Sequence, residues 1–159
     1  MIRSIYTGSK EEAAALNAYV KLMRAAESVS GRVHGHLAGV GLSTSQFGVL
    51  EALHHLGPLS QAEIAKKILK STGNITMVIN NLERRGLVKR ERDQEDRRYY
   101  SISLTSAGEK MIGALFPPHA GRIMKEMNVL SGSEQAMLGK LCRKLGLGTN
   151  EKTKGDRDE

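Results

Sequence analysis

The feature that most constrains this chain is a change of hydrophobic period at Gly86. Before it, Ile75, Val78, Ile79 and Leu82 recur at the spacing of one narrow helical stripe, which must be buried. After it, Tyr100, Ile102 and Leu104 alternate with Tyr99, Ser101 and Ser103, the period of a strand with one covered face. A helix that stops at a glycine and gives way to a polar-tipped hairpin leaves few architectures open.

Upstream, helices are announced by their caps. Ser43-Thr44-Ser45-Gln46, Ser60-Gln61-Ala62-Glu63 and Ser131-Gly132-Ser133-Glu134 fit the capping box, in which a hydroxyl takes a backbone N–H three residues on and the Gln or Glu reaches back. Thr105 is a weaker cap of the same kind. These signals predict helices over 10–37, 44–56, 61–68 and 72–85, strands over 87–92 and 99–104, and a hairpin tip at 93–98. Leu16, Tyr19, Val20 and Met23 stripe the first helix, and Phe47, Leu50 and Leu53 the second. A helix after Thr105 is expected to be interrupted or kinked at Pro117-Pro118, because proline lacks an N–H and disfavours helix before it. Helix then resumes to Met127, a last helix covers 132–145, and 149–159 reads as a frayed tail. The expected fold class is mostly α, a winged helix-turn-helix with a two-stranded β wing and helices on either side.

The chain has 159 residues, 40% of them apolar, enough for one domain with a core. The single Cys142 excludes an intramolecular disulfide and a cysteine-built zinc site. No apolar run is long enough to span a membrane, and the first ten residues lack signal-peptide character, so a reducing cytoplasm is the expected address and no membrane partner is expected. No nucleophile–base set, phosphate loop or metal motif appears, so neither catalysis nor a cofactor is expected.

The net charge of +7 is concentrated. Between Lys66 and Arg98 there are ten basic and five acidic residues. A charge run alone is as readily a solvated face, but here it coincides with the helix–hairpin unit. Opposite its apolar stripe, helix 72–85 presents Gly73, Thr76, Met77, Asn80 and Arg84, flanked by Asn74 and Asn81. Small polar and amide side chains can enter a major groove, where an Asn amide matches the N6/N7 edge of adenine. Ser71 stands where exposed helix N–H groups favour phosphate. Arg97 and Arg98 at or beside the hairpin tip, with Lys89, Arg90 and Arg92 on its first strand, can reach a minor groove. Asp96 can orient an arginine through a charge-assisted hydrogen bond. The plain alternatives are an amphipathic surface helix and a salt-bridged turn of small energetic value.

Taken together, these motifs resemble the MarR family of bacterial transcription regulators. The resemblance is strongest over 42–110 and rests on Gly41-Leu42-Ser43-Thr44-Ser45-Gln46-Phe47-Gly48-Val49-Leu50, on Leu59-Ser60-Gln61-Ala62-Glu63-Ile64-Ala65, on Ile75-Thr76, and on Leu82-Glu83-Arg84-Arg85-Gly86-Leu87-Val88. The wing Asp96-Arg97-Arg98-Tyr99-Tyr100-Ser101-Ile102-Ser103-Leu104-Thr105 follows the family's D-x-R-x-x-x-(I/V)-x-L-T signature. The resemblance implies a homodimer on double-stranded DNA with a pseudo-palindromic operator. Residues 1–42 and 106–148 would interlock to dimerise, and 43–105 would form the DNA-binding lobe. The recognition helix would read the major groove and Arg98 the minor groove. Met77 departs from the arginine many relatives carry after the threonine; it offers apolar contact to a thymine methyl instead. A looser likeness to quinone- and hydroquinone-responsive members rests on Lys67-Ile68-Leu69-Lys70-Ser71, Gly73-Asn74-Ile75-Thr76 and Leu115-Phe116-Pro117-Pro118-His119. It implies a small aromatic or phenolic effector, for which His54 and His55 are the candidate pocket residues.

The remaining residues read structurally. On a continuous helix His34 and His36 fall about 200° apart and should not share a surface, and adjacent His54 and His55 should diverge. The methionines stand mostly at core spacings, with packing as their default role. Cys142 reads as a small apolar residue in a dimer interface. A second reading stays open: a winged-helix module that docks a protein and binds no specific DNA.

Overall fold

In the computed structural model, which describes residues 7–69, 71–92 and 100–148, four serines start four helices. Ser9, Ser43, Ser60 and Ser131 each close a capping box, with Glu12, Gln46, Glu63 and Glu134 respectively. The helices are α1 (Lys10–His34), α2 (Thr44–Leu56), α3 (Gln61–Lys67), α4 (Thr72–Arg84), α5 (Ser106–Met127) and α6 (Gly132–Leu147). The first and last differ from the sequence reading at their ends. α1 tightens at Gly35 into a 3₁₀ segment, Gly35–Val40, and α6 runs through Gly146 to stop at Gly148.

The strands are β1 (Leu59–Ser60), β2 (Val88–Arg92) and β3 (Tyr100–Leu104), in the antiparallel order β1-β3-β2. The wing hairpin is therefore joined by a third strand that the sequence did not announce: Leu59 pairs with Ile102 and Ser60 with Ser101. Two residues are too few to show a period. In the β2–β3 register Val88 faces Leu104, Arg90 faces Ile102 and Arg92 faces Tyr100. Val88, Arg90 and Ile102 thus share one face of the sheet.

The contacts divide the chain into two units, Met1–Gly121 and Arg122–Glu159. In the first, the stripes of α2, α3 and α4 meet the sheet. Leu50, Ile64, Ile75, Ile79, Leu82 and Ile102 are all at most 1% exposed. Gly86 (φ 68°) ends α4: its N–H donates to the Glu83 carbonyl, and the Leu87 N–H donates to that of Leu82. That left-handed stop turns the chain from helix to strand. The start of α5 is then pinned to the same turn. The Thr105 hydroxyl donates to the Gly86 carbonyl (2.6 Å) and accepts from the Gly108 N–H (3.1 Å). A Cβ at Gly108 would stand 2.0 Å from the Leu87 carbonyl oxygen, so this approach requires glycine.

Pro117 and Pro118 do not interrupt α5, which is assigned as one helix across them. Each proline removes one N–H donor but already has a helical φ, and the bonded turns on either side carry the helix across. In the second unit, Ser131 caps α6, and the Gln135 amide donates to the Met127 and Leu130 carbonyls, closing the preceding turn. No residue of α6 is buried. Among the described residues no helix is long and apolar enough to cross a membrane, and no cluster could hold a metal ion.

Candidate nucleic-acid interface

The turn from α3 into α4 is tight. Leu69 takes a left-handed conformation (φ 53°) and is 89% exposed. Ser71 follows as the N-cap of α4, yet its side chain makes no capping hydrogen bond. The first N–H groups of α4 therefore lack the side-chain acceptor that the other capped helices have.

α4 has two unlike faces. Ile75, Ile79 and Leu82 are fully buried, whereas Met77 is 60% exposed and Asn74, Thr76, Asn80 and Arg84 are exposed. The structure leaves Gly73, Thr76, Met77, Asn80 and Arg84 exposed on the side of α4 opposite its buried stripe, as the spacing predicted, with Asn74 exposed on a flank and Ser71 at the N-cap. Met77, Asn80, Asn81, Glu83 and Arg84 line an open groove there.

One flank of α4 is braced in ways the sequence reading missed. The Gln61 amide on α3 donates to the Thr76 hydroxyl (2.6 Å). Arg90 on β2 donates to Asn80 Oδ1 and lies 3.4 Å from the Glu83 carboxylate. The signal was present: Arg90 has the strand parity of Val88, so it points to the side of the sheet that α4 packs on. Arg84 turns its guanidinium to Asn81 Oδ1. Arg85 belongs to the scaffold, donating to the Gly41 carbonyl (2.7 Å). On the wing, the Arg92 Nε–H donates to the Tyr100 hydroxyl (3.3 Å), with the guanidinium 5.8 Å from that ring's centroid. Asp96, Arg97 and Arg98 lie outside the described residues.

The histidines depart from expectation. His34 and His36 both approach His119, with ring centroids 5.2 and 5.4 Å away. The 200° separation assumed one continuous helix, but the chain changes to 3₁₀ geometry between them. His119 is buried and packs 4.4 Å from the Phe47 ring. His34, Phe47, Glu51, Lys67 and Ile68 border a cleft of about 240 Å³. Nor do His54 and His55 diverge: their centroids are 5.1 Å apart, and Phe116 lies 4.5 Å from His55. Side chains bend back from their Cα directions, so adjacency on a helical wheel does not forbid ring contact. His54 Nδ1 is 2.7 Å from the Glu109 carboxylate. The methionines are also not mainly core: Met23, Met77, Met124 and Met137 are each at least half exposed. Cys142, read as an interface residue, is exposed in the single chain, as a residue covered only by a second copy is.

A family model described as MarR family matches residues 40–98, which hold α2, α3, α4 and the first wing strand, β2. The HTH-type transcriptional regulator MhqR of Bacillus subtilis is 32% identical over 136 residues, spanning 86% of this chain and 94% of that protein. This chain belongs to the MarR family. Similar too is the uncharacterized HTH-type transcriptional regulator YkoM of the same organism, 36% identical over 133 residues, or 84% of this chain and 86% of that one. Among solved structures, Bordetella bronchiseptica BpsR, described for the regulation of its DNA binding by 6-hydroxynicotinic acid, aligns with a TM-score of 0.72. It is 26% identical and covers 80% of this chain and 91% of its own. This MarR protein is accordingly a winged helix-turn-helix, DNA-binding transcriptional regulator. In the winged helix-turn-helix order, α3 and α4 are the paired helices and the β2–β3 hairpin is the wing.

Proposed function

We propose that this regulator occupies a pseudo-palindromic operator as a homodimer and represses transcription from the cytoplasm until a small aromatic effector releases it. The observation that carries the DNA-reading part is the asymmetry of α4, fully buried along Ile75, Ile79 and Leu82 and open along Thr76, Met77, Asn80 and Arg84. Such a face fits a major groove, Ser71 and the uncapped N–H groups suit a phosphate, and Asn74 flanks the same approach. Arg92, with Arg97 and Arg98 oriented by Asp96, would enter the minor groove. Residues 43–105 are the DNA-binding lobe, and 1–42 and 106–148 the dimerising segments. Two recognition helices then need a separation of about 34–36 Å. The effector would sit against His54, His55 and Phe116, and binding there would favour a different spacing.

Selection of bound sequences from random duplex DNA tests this directly. The purified protein should enrich a two-fold-symmetric motif with half-sites about one helical turn apart. Arg98→Ala should weaken binding to that motif at physiological salt. Enrichment blind to sequence would instead favour a protein-docking module with a general anion-binding face.

A further inference from the structure

We infer that Arg92 and Tyr100 form a clamp for a backbone phosphate of DNA, in which Arg92 makes the contact and Tyr100 is the positioning residue that aims it. This rests on the operator reading above, with α4 in the major groove and the wing tip in the next minor groove, and it gives Arg92 its place at the rim of that minor groove.

The two side chains meet because the register makes them neighbours. Arg92 and Tyr100 are directly opposed on β2 and β3, the pair nearest the hairpin tip among the described residues. Opposed residues of an antiparallel pair put their side chains on one face, here the face of Val88, Arg90 and Ile102, on which α4 packs. Arg90 reaches α4 itself, at Asn80 and Glu83. Arg92 stands two residues, about 7 Å, further toward the tip, and its Nε–H donates to the Tyr100 hydroxyl (3.3 Å) with the guanidinium 5.8 Å from the ring centroid. That bond leaves the Nη1 and Nη2 groups, the fork that matches a phosphate. The neighbouring cations are paired within the protein, Lys89 with Glu91 (2.8 Å) and Arg90 with Glu83. Among the described residues no carboxylate pairs with Arg92.

The geometry of DNA supplies the ligand. A protein with a helix in one major groove and a hairpin tip in the next minor groove straddles the sugar–phosphate strand that divides them. The minor groove is about 6 Å wide, so the tip enters it and the root of the hairpin meets its phosphate wall. Tyr100 follows Arg98 by two residues, which keeps their Cα atoms within about 7 Å of each other whatever path the chain takes. Side chains of the wing root on the α4 side therefore face the gap between helix and tip, where that strand passes. Arg92 is the cation placed there. Held by the ring and hydroxyl of Tyr100, its long side chain has less rotamer freedom to lose when it grips a phosphate.

The test uses the motif that the wild type selects from random duplex DNA. A wild type that enriches no motif would overturn the operator reading, and this inference with it. On the selected motif, affinity is measured between roughly 50 and 200 mM salt for the wild type, Tyr100→Phe, Arg92→Ala and the double variant. Both side chains are exposed, so neither change touches the core. Arg92→Ala should lower the salt slope by about one and leave the selected base preferences unchanged, as the loss of a phosphate contact does. Tyr100→Phe keeps the ring and removes the acceptor. It should weaken binding about threefold with the salt slope unchanged, and in the Arg92→Ala background it should change nothing. A merely structural tyrosine would cost the same in both backgrounds. An unchanged salt slope or an altered base preference in Arg92→Ala would overturn the inference. So would a Tyr100→Phe variant that binds as tightly as the wild type or tighter, or one that loses as much affinity without Arg92 as with it.

Discussion

Leu50 and Leu141 are both leucines inside capped helices, yet Leu50 is fully buried and Leu141 is 57% exposed. The contrast extends to whole regions. From α2 to β3 the apolar stripes close on one another within one chain. In α1, Leu16, Tyr19, Val20 and Met23 are 45–61% exposed, and Val33 is the only buried residue. In α6, Leu138, Leu141 and Leu145 form a helical stripe that is 37–65% exposed. Short helices draw most of their stability from packing an apolar face rather than from propensity. The inner region, joined by Leu37 and Ile112, closes one core, while the terminal helices leave apolar faces exposed, as the proposed dimer requires.

Substitutions can break that comparison. The largest effect is expected at Leu50→Ala, which should lower unfolding stability by about 2–5 kcal/mol, whatever the protein concentration. Leu141→Lys should leave the unfolding of a dilute monomer nearly unchanged but weaken self-association at least tenfold. Urea titrations and sedimentation at several concentrations separate the two. If Leu141→Lys leaves association untouched, the stripe on α6 is not the dimer surface.

A smaller effect sharpens the contrast within α5. Gly108→Ala puts a methyl against the Leu87 carbonyl and should cost about 1–3 kcal/mol. At Gly113 an added Cβ meets nothing within 4 Å, so Gly113→Ala should be neutral or stabilise by up to about 1 kcal/mol. Equal melting temperatures for the two variants would show that the turn at Leu87 is not closely packed.

The smallest effect concerns the cap of α3. Ser60→Ala should cost about 0.5–2 kcal/mol near neutrality. The Ser60 hydroxyl and backbone N–H hold the Glu63 carboxyl below its usual pKa. A lowered folded pKa stabilises the fold above the unfolded value, and that contribution is lost as pH falls through the folded value. The stability gap between wild type and Glu63→Gln should therefore narrow in acid. A gap that stays constant with pH would show that Glu63 does not act as a charged cap.

Much of the fold was legible because its signals are local. Capping boxes lie within four residues, so Ser43, Ser60 and Ser131 marked their helices, and the stripe of α4 named its own buried side. The polar face of that helix followed as the complement. What stayed hidden depends on partners distant in the chain. Strand β1 has two residues and exists only because β3 offers it a free edge. His34, His36 and His119 meet only because the chain tightens at Gly35 and α5 passes alongside.

The sequence by itself determined the helices, the winged helix-turn-helix order and the exposed polar face of α4, because periodicity and capping act over a few residues. Only the tertiary structure decided how that face is dressed. Gln61 reaches Thr76 from α3, and Arg90 reaches Asn80 and Glu83 from β2. Which way an asparagine amide turns is open until a neighbour bonds it, and no local rule names a neighbour that arrives from another element.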